Sequence, residues 1–185
     1  MWRRSRGWRR GRLNGGGVVA TVMSNLGLER KMEEEGLALH RTAVGDRYVL
    51  EEMRAQGYAL GGEQSGHVVV LDRATTGDGV LTALALLDRM AQTGSSLKDL
   101  AAVMTRLPQV LINVEGVDRS RLADSAEVKA VVETVERELG AEGRVLLRPS
   151  GTEPLVRVMV EARDPQQAQA CAERLVNAVK SQVPA

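Results

Sequence analysis

Between positions 17 and 61 short apolar runs alternate with longer charged stretches, and this alternation restricts the possible folds more than any other feature of the chain. Residues 18–23, VVATVM, follow a glycine run and are rich in β-branched side chains, which predicts a buried strand. A helix should open at Ser24 or Asn25, since both residues cap helix N-termini, and end at Gly36. Residues 37–44 read as a second strand, 46–56 as a second helix closed by Gly57, and 58–61 as a third strand. Strands joined through helices run in the same direction, so the pattern predicts an α/β layer with parallel pairing.

A tight polar loop, Gly62-Glu63-Gln64-Ser65-Gly66-His67, separates this region from a strand at 68–71. Over 79–91 the apolar residues Val80, Leu81, Ala83, Leu84, Ala85, Leu86, Leu87 and Met90 cover nearly every helical face, which predicts a largely buried helix. Ser96 and Asp99 have the spacing of a capping pair, and the helix they open should end by Pro108. Residues 17–107 thus form a first domain.

From 108 to 185 the pattern changes. Val110, Ile112 and Val114 alternate with Leu111, Asn113 and Glu115, so 109–116 should be a strand with one strongly apolar face. Asp124 with Glu127 predicts the cap of a helix whose Val128, Val131, Val132, Val135 and Leu139 share a face. Two strands follow, 145–147 and 155–160; in the second, Val156, Val158 and Val160 face one way and Arg157 the other. Asp164-Pro165 opens a final helix with Ala168, Cys171, Ala172, Leu175 and Val179 as its apolar stripe. The order β-α-β-β-α, with helices on one face of a small sheet, is that of an α+β module.

Composition excludes several function classes. The net charge is +1, with 25 basic and 24 acidic residues, so no global field favours nucleic acid or a membrane surface. The single cysteine, Cys171, excludes an internal disulfide and a cysteine-based zinc site, and points to a reducing compartment, the cytoplasm. Residues 1–16 depart from this balance: six arginines and both tryptophans stand in the first twelve with no acid. The segment reads as an Arg-rich, disordered leader, with Asn14-Gly15-Gly16-Gly17 as a flexible joint; contact of its arginines and tryptophans with nucleic acid or a membrane surface is the alternative.

Between the last two strands lies Arg148-Pro149-Ser150-Gly151-Thr152-Glu153-Pro154. Gly151 lets a ligand approach the backbone, Ser150 and Thr152 carry hydroxyls, and Arg148 offers a guanidinium fork that matches two phosphate oxygens. Arg157 could supply a second fork. A surface hairpin whose arginines meet only solvent accounts for the stretch equally well when it is taken alone.

The motifs together settle the comparison. Gly62-Glu63-Gln64-Ser65-Gly66-His67, Thr76-Gly77-Asp78-Gly79 and Arg148-Pro149-Ser150-Gly151-Thr152-Glu153-Pro154, in this order and separation, resemble the C-terminal half of the α-D-phosphohexomutases. Residues 22–28 and 44–49 are similar to the bacterial phosphoglucosamine mutase branch in particular. The resemblance implies a third hexomutase-type α/β domain, incomplete at its start, followed by the small α+β domain. It implies an enzyme that interconverts glucosamine 6-phosphate and glucosamine 1-phosphate through a phosphoserine and a bisphosphate intermediate. Glu63 and Ser65 would bind sugar hydroxyls; Arg148, Ser150, Gly151, Thr152 and Arg157 would bind the phosphate that is not transferred. His67 is a candidate for proton transfer, and Arg47 a further candidate ligand residue.

The family's phosphoserine motif, Ser-His-Asn-Pro, and its Asp-Gly-Asp-x-Asp-Arg magnesium loop occur nowhere in the 185 residues. Asp78 stands alone in its turn and cannot replace a cluster of metal-binding oxygens. Ala43 occupies a place where many hexomutases carry lysine. The expectation is therefore a truncated phosphoglucosamine mutase that binds a phosphosugar, holds no Mg2+ by itself and does not turn over alone. Its partner would be a missing N-terminal half or a second copy, with no specific nucleic acid and no membrane. The alternative is a non-catalytic phosphosugar-binding module.

Overall fold

In the computed structural model, which describes residues 13–185, the first apolar run becomes β1 (Gly17–Thr21). The arginine-rich residues 1–12 lie outside the described residues. The expected flexible joint is instead a turn, closed by a bond from Gly16 N to Leu13 O at 3.1 Å, and Gly17 already pairs in β1. Then come α1 (Leu26–Glu34), β2 (Ala38–Thr42), α2 (Asp46–Gln56), β3 (Leu60–Gly62), β4 (Val68–Val70), α3 (Gly79–Thr93) and α4 (Leu97–Ala101). The chain divides into two compact units between Thr105 and Arg106.

Local chemistry sets the helix ends. Asn25 caps α1 by accepting a bond from Gly27 N, and Gly57 ends α2 in the left-handed conformation that glycine adopts without strain. Ser96 and Asp99 form the expected capping box, but α4 stops at Ala101, short of Pro108.

The first sheet has the order β2-β1-β3-β4. β1 pairs in parallel with β2 and β3, as the alternation requires, while β4 runs antiparallel to β3. The loop between β3 and β4 is too short for a crossover and makes a hairpin instead. Val19 and Val69 of the sheet pack with Val49 and Met53 of α2 and with Tyr58. Gly61 permits that packing, since a Cβ there would stand 2.6 Å from Met53 Sδ.

The expectation for α3 fails. It buries no residue, and Val80, Leu84 and Leu87 are 72%, 56% and 57% exposed. Its chief neighbours are β4 and α4, of three and five residues, which cannot cover a fifteen-residue helix.

The second unit has the predicted order: β5 (Gln109–Val114), α5 (Ala126–Leu139), β6 (Arg144–Pro149), β7 (Val156–Glu161) and α6 (Pro165–Gln182). Its antiparallel sheet is ordered β5-β7-β6. Val114, Val156, Val158 and Val160 face α5 and α6, whose Val128, Val135, Leu139, Ala168, Cys171, Ala172, Leu175 and Val179 complete the core. Burial pushes the Cys171 thiol above its usual pKa, in keeping with a small apolar filler. α5 is capped by Ser125, which accepts from Val128 N, rather than by Asp124; the predicted cap is one residue early. Asp164 caps α6 by accepting from Gln167 N, with Pro165 in the first turn.

β7 is central, and its alternate residues Arg157, Met159 and Glu161 form rows across the other sheet face. Glu161 is fully buried there and pairs with Arg144 of β6, Nε to Oε2 at 2.7 Å. The next row is Leu111, Met159 and Leu146, and the last is Asn113, Arg157 and Arg148.

Candidate functional site

The parallel strands β1, β2 and β3 all point their carboxyl ends toward the same edge of the first sheet, where open α/β sheets present their binding loops. The loop after β3 carries Glu63, Ser65 and His67. Gly66, at φ +99°, turns the chain, and Glu63 N donates to His67 O at 2.9 Å to close the loop. Ser65 Oγ and His67 Nδ1 lie 3.2 Å apart. Glu63 Oε1 accepts from Gly45 N at 2.9 Å, which ties this loop to the start of α2. Arg47 projects from that first turn, stacks on the Tyr48 ring at 4.7 Å, and lies 3.7 Å from Glu51. The four candidates of this unit therefore sit on one loop and on the first turn of α2, joined by the Glu63 carboxylate.

Gly77 packs against His67; a Cβ there would meet His67 Cβ at 3.3 Å. Asp78 is the cap of α3, its Oδ1 accepting from Leu81 N at 2.9 Å. Among the described residues no group of three or more His, Cys, Asp and Glu side chains could hold a metal ion.

In the second unit, Arg148 at the end of β6 and Arg157 near the start of β7 are directly opposite cross-strand partners. Like charges in that position repel. Burial and the Arg157 charge both lower the Arg148 pKa from its ordinary value. The Nε atoms of both guanidiniums are buried without a hydrogen-bond partner. Beside them Ser150 is buried and its amide donates to Leu155 O at 2.9 Å, closing the loop. Ser150 Oγ accepts from Glu153 N at 3.3 Å, and Glu153 Oε2 pairs with Arg157 Nη2 at 2.5 Å. Gly151 and Thr152 are exposed at the tip. A Cβ at Gly151 would meet nothing within 4 Å, and its φ lies outside the left-handed region, so neither the chain's packing nor its backbone demands glycine there.

Sequence reasoning missed Arg119. Its Nη1 donates to Ser150 O at 2.8 Å and Glu153 O at 3.0 Å, bracing both ends of the loop. Arg119 is presented by a turn in which the Asp118 carboxylate accepts from the Ser120 hydroxyl at 2.6 Å and amide at 3.0 Å. Those bonds hold the Asp118 carboxyl below its ordinary pKa. No local pattern marks Arg119, which lies about thirty positions upstream of the loop. The motif by itself assigns no role to Glu153.

Comparison with known proteins follows the same division. The family profile described as phosphoglucomutase/phosphomannomutase, alpha/beta/alpha domain III, matches residues 4–107, and the C-terminal domain of the same family matches residues 111–178. The chain is 70% identical over 164 residues to a phosphoglucosamine mutase of Streptomyces avermitilis, covering 89% of this chain and 36% of that protein. It is 61% identical over 176 residues to one of Frankia alni, covering 95% and 39%. The chain thus spans well under half the length of the curated relatives it matches. Among solved structures, an N-acetylglucosamine-phosphate mutase in its substrate complex superposes with a TM-score of 0.78 at 22% identity, over 94% of this chain and 40% of that one. Aspergillus fumigatus N-acetylphosphoglucosamine mutase in complex with GlcNAc-6P and magnesium gives 0.73 at 22%, over 89% and 38%. At such identities these two structures speak to the fold. No described helix is long and apolar enough to cross a membrane.

Proposed function

The chain belongs to the phosphoglucomutase/phosphomannomutase family, and we propose that it supplies the substrate-holding part of a phosphoglucosamine mutase. Glu63 and Ser65 take sugar hydroxyls, and Arg148, Ser150, Gly151, Thr152 and Arg157 take the phosphate that is not transferred. One observation carries this reading: two guanidiniums are held opposite each other with buried, unpartnered Nε atoms beside a serine loop. A chain gains nothing by burying such donors unless something satisfies them, and a phosphate presents several acceptor oxygens at once. Gly151, which the fold does not require, leaves the backbone open to close approach by a ligand. His67, whose Nδ1 lies 3.2 Å from Ser65 Oγ, is the candidate for proton transfer. Arg47 is a further ligand candidate on the edge that carries Glu63.

The described carboxylates do not fit a magnesium site. Asp78 is committed to the cap of α3, and one carboxylate cannot supply an octahedral oxygen set. The Ser-His-Asn-Pro nucleophile is not among these residues either. The chain alone is therefore expected to bind a phosphosugar without converting it. Calorimetric titration with glucosamine 6-phosphate should give millimolar binding, about 4 kcal/mol, that is lost in Arg148→Ala. Silence at millimolar ligand, or equal binding by the variant, would refute the assignment. Turnover by the isolated chain with magnesium and a trace of sugar bisphosphate would refute the division of labour.

A further inference from the structure

Glu153 places a carboxylate against Arg157, one of the two arginines that the phosphate reading assigns to the anion. Arg148 and Arg157 are opposed across β6 and β7, and the Glu153 carboxylate answers Arg157, with Oε2 2.5 Å from Arg157 Nη2 and 3.5 Å from Ser150 Oγ. It does so incompletely, because the Nε atoms of both arginines stay buried and unpartnered. Its side chain is about half exposed, at 49%, against 28% for that of Arg157. Its backbone is held independently of that carboxylate: the amide donates to Ser150 Oγ, and the carbonyl accepts from Arg119 and from Leu155 N. Rotation of the side chain alone would bare Arg157 and leave the loop closed.

We propose that Glu153 is an internal counter-ion of the anion site, resting on Arg157 when the site is empty and displaced by the incoming phosphate. The inference rests on the phosphate reading above and adds what sets the affinity. The carboxylate relieves the repulsion between the two arginines in the free protein, and every phosphate that binds must first break that pair. Glu153 thereby weakens binding and favours release of the anion.

Inorganic phosphate is the probe, titrated calorimetrically into the wild-type chain and into Glu153→Gln, which keeps the shape and removes the charge. A partly exposed ion pair is worth up to about 1 kcal/mol, so the variant should bind phosphate about three- to fivefold more tightly. Equal or weaker binding by a folded Glu153→Gln, with the wild type binding normally, overturns this proposal and leaves the phosphate reading intact. Silence from both proteins at millimolar phosphate overturns the two together. Should Glu153→Gln fail to fold, carbon NMR of the Glu153 carboxyl in the wild type decides. A resonance that moves with the same midpoint as phosphate binding is expected, and one that stays fixed overturns the proposal.

Discussion

Arg119 reaches the loop between β6 and β7 through two backbone carbonyls, those of Ser150 and Glu153. It is a positioning residue, and its loss should act on binding through loop order. Arg119→Ala is expected to weaken phosphate binding about tenfold, since two hydrogen bonds from a charged donor are removed at a partly exposed site. Arg119→Lys can reach only one carbonyl well and should recover part of that loss. The check is phosphate titration of both variants beside a thermal melt: unchanged affinity in Arg119→Ala would show that the loop orders itself without the brace. The contrast with Arg148 and Arg157 is instructive. Those two stood out in sequence because they flank a Ser-Gly-Thr turn, whereas Arg119 sits among Asp, Ser and Arg residues with no distinguishing pattern. The turn that presents it is tied to the far end of the chain, where Asp118 N donates to Val183 O at 2.9 Å just after α6.

At the scale of elements, α6 and α3 show what a hydrophobic pattern can and cannot foretell. The stripe Ala168, Cys171, Ala172, Leu175 and Val179 on α6 is buried as its spacing requires. The apolar residues of α3 are more numerous, yet Leu84 and Leu87 are more than half exposed. Leu175→Ala should cost about 2 to 5 kcal/mol, the range for emptying a packed leucine site, while Leu87→Ala should cost within about 0.5 kcal/mol. Urea denaturation of the two variants tests this, and a comparable loss in both would mean that α3 is covered in solution. A moment or a period records that a face avoids water. It does not record whether a partner is present to cover it, and for α3 the neighbouring β4 and α4 are too short. The same limit explains β4: its composition marked it as a strand, but only the short loop before it dictated an antiparallel partner.

Across the whole molecule the two units differ in the size of their cores. Among the described residues, seventeen buried side chains form the core of the second unit and five that of the first. Hydrophobic stabilisation grows with the apolar area removed from water, so the first unit should unfold before the second. Both tyrosines, Tyr48 and Tyr58, lie in the first unit. In a urea titration the near-ultraviolet dichroism of tyrosine should vanish at lower denaturant than the last step of the far-ultraviolet signal. Coincident curves would show instead that the units unfold together. The sequence by itself determined the types and order of the elements, the N-caps of α1, α4 and α6, the division into an α/β and a β-α-β-β-α part, and the loops that carry Glu63 and Arg148. All of these depend on residues within a few positions of one another, where periodicity and capping chemistry act. Only the tertiary structure decided the order β2-β1-β3-β4, the exposure of α3, the brace from Arg119, the opposition of Arg148 and Arg157 and the pairing of Glu153 with Arg157. Those depend on strand register and on packing between segments far apart in the chain, which local composition does not encode.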